Sequence, residues 1–156
     1  MDSRDVLRRH LATLAYRTQH ALTGAPDGFA DFDVGNGVRT PHQIMSHMLA
    51  MVEATSERYL GKKIERSGEV PWEEAISRYH SALADLDKAL AAVEAPDSDT
   101  VLRLFQGPWL DAMTHVGQLM MLRRLAGAPV SGANYYRADI KDGQLGPEQP
   151  LPEGNR

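Results

Sequence analysis

The sequence predicts an all-α protein, a four-helix bundle followed by an irregular C-terminal tail. Three observations carry this expectation. Apolar residues recur at three- and four-residue steps in four separate stretches, each closed by proline, glycine or both. No stretch shows the strict alternation of a half-buried strand. With 156 residues, 42% of them hydrophobic and 24% charged, the chain is long enough for one domain with a proper core and too short for two.

The first helix opens at Ser3, with Asp2 and Asp5 in its first turn, and places Val6, Leu7, Leu11, Leu14, Ala15, Thr18 and Leu22 on one side. Gly24-Ala25-Pro26 ends it. Residues 24–39 hold four glycines and a proline among Phe29, Phe32 and Val34, the composition of a loop that packs a few aromatics. Thr40-Pro41-His42-Gln43 then supplies a second start: Thr as N-cap, Pro where its missing N–H costs nothing, and Gln in capping-box register. The second helix runs to about Leu60, with Ile44, His47, Met48, Met51 and Thr55 inward and Met45, Val52 and Tyr59 beside them.

A polar connection, Gly61 to Gly68, precedes Pro71-Trp72-Glu73-Glu74, which begins the third helix with two acids where the dipole favours them. Trp72, Ile76, Tyr79, Leu83, Leu86, Leu90 and Val93 follow in helical steps until Ala95-Pro96-Asp97-Ser98-Asp99. A short segment from Thr100 to Phe105 leads to Gly107-Pro108. The fourth helix spans Trp109 to Leu125 and stops before Gly127-Ala128-Pro129. The bundle thus occupies 1–130, and 131–156 form a tail that packs on it or is partly disordered.

Charge and composition narrow the function classes. Lys and Arg (17) are outnumbered by Asp and Glu (21), so nucleic acid is not an expected partner. The chain has no cysteine, which excludes disulfides, thiolate ligands and a Cys nucleophile and leaves any metal to N and O ligands. No apolar run is long enough to cross a bilayer, and the start lacks the order of a signal peptide, so no membrane association and a cytoplasmic setting are expected.

Metal-competent side chains concentrate on two helices. Asp111 and His115 are four residues apart, on one face of the fourth helix, and His47 lies on the inward stripe of the second. Docked together, the three make a facial set of two imidazoles and a carboxylate with open positions. Gln118 shares the sector of Asp111, His115 and Leu122 and can orient a ligand, while Trp109, Met113, Val116 and Met120 lie opposite. Each residue has a plainer role: a hydrogen-bonded core histidine, a dipole-favoured acid in a first turn. His42 is about 140° from His47 on the helix and is expected to face solvent. His10, His20 and His80 are expected at the surface or its boundary, or, for His80 beside Ile76 and Leu83, partly buried. In the tail, Tyr135, Tyr136 and Arg137 either close over the site to bind an anionic group or anchor the tail on the bundle.

His47, the His115-Val116-Gly117-Gln118 step and the run Met121-Leu122-Arg123-Arg124-Leu125-Ala126-Gly127 resemble the DinB superfamily of helical-bundle proteins, related to thiol S-transferases that use bacillithiol or mycothiol. The resemblance covers most of the chain, with these two motifs as its specific part. It implies an up-down-down-up bundle, a homodimer, and a divalent metal (Ni, Zn or Fe) held by three histidines, one from the second helix and two spaced H-x-x-x-H on the fourth. His47 and His115 match those positions; Asp111 replaces the third histidine, which makes the ligand set harder. The implied function is metal-dependent transfer of a low-molecular-weight thiol to a small-molecule electrophile. A non-catalytic dimeric stress-response or interaction bundle, joined through Trp109, Met113, Val116 and Met120, is the rival expectation, and a metal-dependent hydrolase a third.

Overall fold

Asp2, one residue before the expected start, caps the first helix: its carboxylate accepts from the Asp5 N–H at 3.0 Å while Asp5 accepts from the Asp2 N–H. This reciprocal box satisfies two of the donors that a helix N-terminus leaves unpaired. The structure, a computed structural model, describes residues 2–61, 63–64 and 70–150. Among these it is all-helical. Most of the expected polar connection at 61–68 and the end of the tail lie outside the described residues.

Four long helices form the body, α1 (Ser3–Leu22), α2 (Pro41–Leu60), α3 (Trp72–Ala92) and α5 (Leu110–Leu125), with a short α4 (Ser98–Leu104) before the last. The Thr40–Gln43 capping box is present, and Gly61 ends α2 in the left-handed conformation (φ 62°), which glycine adopts without steric cost. Where a short segment was expected around Thr100, Asp97 caps a true helix by accepting from the Thr100 N–H at 2.7 Å. The helical path then kinks at Gly107, whose φ and ψ of −112° are non-helical, within the turn Phe105–Trp109 that joins α4 to α5. Pro108 lacks the N–H that an α-helical turn would use and disfavours helical backbone at the residue before it, which is where the kink falls.

Neighbouring pairs are α1 with α3, α3 with α2, α2 with α5 and α5 with α1, so α1 and α2 lie on one diagonal and α3 and α5 on the other. The shared core contains Leu7, Leu11, Leu14, Ile44, Met48, Tyr79, Leu83, Leu86, Leu90, Val116 and Leu119, all fully or almost fully buried. Two crossing ion pairs orient the helices. Arg8 of α1 holds Asp87 of α3 with two bonds of 2.8 and 3.0 Å, and Arg78 of α3 reaches Glu53 of α2 at 2.6 Å. Both carboxylates are buried, so each needs its partner.

Helix α5 is covered on two sides. Trp109 and Val116 are buried against the protomer's own core, and Met113 and Met120 pack against it. The dimer contact expected on that face is therefore not available; wedging α5 between α1 and α2 uses it for folding. The outward strip of α5 is instead Leu110, Met121 and Leu125, 51 to 58% exposed. Val6, expected on the inward side of α1, is 37% exposed. At the far end of α5, Arg123 is buried and donates to the carbonyls of Ala21, Thr23 and Gly24 at the end of α1 and of Ala128 beyond its own helix, all at 2.8 to 2.9 Å.

The tail lies along α1 and α3. Tyr135 meets His20 Nδ1 at 2.6 Å, Gln149 exchanges two bonds with Gln19, His80 Nδ1 donates to the Leu145 carbonyl at 2.6 Å, and Arg9 donates to the Ile140 carbonyl. His20 is thereby buried, not at the surface or its boundary, and His80 is buried more fully than expected, because the tail covers faces that helix periodicity assigns to solvent. His10 is likewise drawn in: its ring stacks on Trp109 with centroids 5.1 Å apart, and its Nε2 is enclosed.

Arg123→Met is expected to lower the unfolding free energy by about 3 kcal/mol, since it strips four carbonyls of a charged donor in a buried setting; urea denaturation measures this, and an unchanged midpoint would show the clasp to be idle. Burial holds His10, His20 and His80 below the ordinary imidazole value of 6.5, with Arg123 and Arg17 adding to the shift at His20. The folded state thus binds fewer protons than the unfolded chain just below that pH, so stability is full above it and declines as pH falls through it. Urea midpoints are expected to drop between about pH 7.5 and 5.5, ahead of the carboxylate range.

Candidate metal centre

The capping box at Thr40 and Pro41 fixes where α2 starts, and burial of Ile44, Met45 and Met48 fixes its rotation. His47, between these positions, is left half-buried at the boundary facing α5. On α5, burial of Ala112, Val116 and Leu119 turns His115 inward to 5% exposure, and Asp111, one turn earlier, sits at the open edge.

The three side chains meet. His47 Nε2 is 3.6 Å from Asp111 Oδ2, and His115 Nε2 is 3.6 Å from Asp111 Oδ1. The imidazoles stand edge to face, with centroids 4.9 Å apart and planes at 88°. One ligand atom from each residue falls within 4.8 Å of both others, so the group can hold a metal ion. Separations of 3.6 Å are too long for good hydrogen bonds. Ligand atoms about 2.1 Å from one ion and 90 to 110° apart would be roughly 3.0 to 3.4 Å from each other, so the three groups must draw closer together to ligate.

Gln118 sharpens the chemistry. His115 Nδ1 lies 2.7 Å from Gln118 Oε1, an atom that only accepts, so Nδ1 carries the hydrogen and Nε2 presents its lone pair toward Asp111. This is the outer hydrogen bond that orients metal-binding imidazoles. Burial lowers the pKa of His47, and the positive charge of Arg39 lowers it further; the negative charge of Asp111 opposes them. His47 is therefore neutral at neutral pH, the form that ligates.

The other candidates are placed elsewhere. His42 is not solvent-facing; its Nε2 donates to the Val70 carbonyl at 2.6 Å, next to Trp72. Tyr135 is held on α1 by His20 and by Arg17, whose guanidinium lies 4.2 Å from its ring centre, with Met120 beside it. It anchors the tail. Tyr136 is 97% exposed, and Arg137 is exposed beside it.

The sequence reading missed a cleft of about 760 Å³ that begins at Asp111 and is walled by α2, α4 and the kinked turn at Gly107-Pro108, with Arg58 and Arg103 among its lining residues. Its only trace in the sequence is Gly107-Pro108, where a helix must break or widen.

Asp111→Asn removes the one influence that raises the His47 pKa, so His47 should titrate lower still, whereas Arg39→Gln should move it up; imidazole NMR titration checks both directions. Compared with family models, with curated proteins and with solved structures, the chain matches none.

Proposed function

We propose that the chain is a DinB-like divalent-metal protein and acts as a metal-dependent S-transferase that brings a low-molecular-weight thiol to a small electrophile in the cytoplasm. The convergence of His47, Asp111 and His115 carries the reading. A Zn, Ni or Fe ion bound there would act as Lewis acid, lowering the pKa of a thiol.

The chain's own residues have separable tasks. His47 and His115 offer imidazole nitrogens, Asp111 offers the one formal negative charge, and Gln118 orients the His115 ring. Three protein ligands on one side leave the solvent side open, the arrangement of a catalytic and not a structural site. Asp111 is half exposed and lies in the wall of the cleft, so a small molecule has a path to the triad. Hydrolysis is less well supported, because no residue among those at the triad is free to serve as general base once all three ligate. The homodimer belongs to the same proposal: with Trp109 and Val116 in the core, the exposed strip Leu110, Met121 and Leu125 is the apolar surface α5 has left.

Elemental analysis of untagged protein tests the base of the reading. One equivalent of metal is expected, lost in His47→Ala and about tenfold weaker in Gln118→Ala. Asp111→His, which makes three imidazoles, should retain the ion and bind Zn more tightly. No stoichiometric metal in the wild type under metal-replete growth sinks the proposal and leaves a hydrogen-bonded polar cluster.

A further inference from the structure

The cleft beside the triad has a direction. On α2 its wall follows one face: Met51, Thr55 and Arg58 line it at four- and three-residue steps, and His47 is one turn before Met51 on the same face. Arg58 is eleven positions beyond His47 (58 − 47), roughly 16 Å along the helix. The facing wall runs from Arg103 of α4 through Gln106, Gly107 and Pro108 to Asp111. Volume and length are those of a small-molecule site, longer than a simple metabolite fragment needs.

Two arginines from different helices in one cleft are notable in a chain of net charge −4. Arg58 is exposed. Arg103 pairs with Asp99, four residues earlier, at 2.9 Å, but both side chains are mostly exposed (69 and 74%), and such a pair is weak enough to yield to a ligand. Guanidinium groups match the fork of a carboxylate or the oxygens of a phosphate.

We infer that the cleft binds an elongated small molecule by a terminal oxyanion, held between Arg58 and Arg103, so that its other end lies at Asp111 and the two imidazoles. The inference rests on the metal reading only at that second end; the arginine end stands by itself. Peptide or glycoside length with a carboxylate or phosphate describes the ligand class, and a compact uncharged molecule would leave the arginines unused.

The experiment titrates zinc-loaded and metal-free protein by ¹⁵N NMR, including arginine Nε resonances. The probes are glutathione (thiol and carboxylates), S-methylglutathione (carboxylates alone), 2-mercaptoethanol (thiol alone) and glucose 6-phosphate (phosphate). The proteins are wild type, Arg58→Gln/Arg103→Gln, and Arg124→Gln as a charge control on an exposed residue outside the cleft. For at least one oxyanion probe the double variant is expected to weaken binding about five- to tenfold, with 2-mercaptoethanol binding and metal content unchanged and Arg124→Gln silent. Arginine dependence seen with S-methylglutathione identifies a carboxylate, and with glucose 6-phosphate a phosphate. Equal binding of every oxyanion probe by wild type and double variant, or no shift of Arg58 and Arg103 at about 10 mM probe, overturns the inference. If no metal loads but S-methylglutathione or glucose 6-phosphate binding still depends on the arginines, the metal reading fails and the oxyanion site stands.

Discussion

The clasp that Arg123 makes on the end of α1 is the interaction on which the rest of the arrangement depends. The last turns of a helix leave carbonyls without donors, and at the end of α1 these would be enclosed by α5 and the loop after Gly24. One buried guanidinium supplies the Ala21, Thr23 and Gly24 carbonyls and also the Ala128 carbonyl beyond α5. It therefore locks the end of one helix against the end of another. Arginine suits the position because it presents several donors and stays charged when buried. With that end pinned, the rotation and depth of α5 are set by Leu122, Leu119 and Val116, and the same rotation delivers His115 to His47 two turns away.

The site shows how a bundle positions chemistry without dedicating much structure to it. Apolar neighbours at three- and four-residue spacing turn each helix, and the polar residue between them goes where that turn sends it. His115 and His80 are alike in two respects: both are buried, and each has its Nδ1 occupied, by Gln118 Oε1 and by the Leu145 carbonyl. They differ in what faces Nε2. For His115 it is Asp111 and His47; for His80 no hydrogen-bond partner faces it among the described residues. Chemistry comes from the second helix, not from the histidine.

The tail explains the burial of His20 and His80. His20 and His80 sit where a helical wheel puts them at the boundary, and periodicity has no access to a segment more than sixty residues away that will cover them. For Tyr135 two roles were open, a cover for the site or an anchor of the tail, and the structure has the anchor: it fastens the tail to α1 through His20 and Arg17. In both cases the missing information is long-range packing, whose partners carry no mutual spacing in the chain.

The sequence by itself determined what is local. The Thr40–Gln43 box, Pro41, the apolar stripes and the i,i+4 relation of Asp111 and His115 depend only on neighbours within a turn or two, and they are legible because helix geometry repeats every 3.6 residues. Only the tertiary structure decided that α5 is wedged between α1 and α2, so that Trp109 and Val116 serve the core and not a second subunit. It alone brought His47 to Asp111, and it alone opened a cleft with Arg58 and Arg103 beside them. Those facts depend on which helices are neighbours, a choice made by the sum of buried contacts over the whole bundle, and no short segment records that sum.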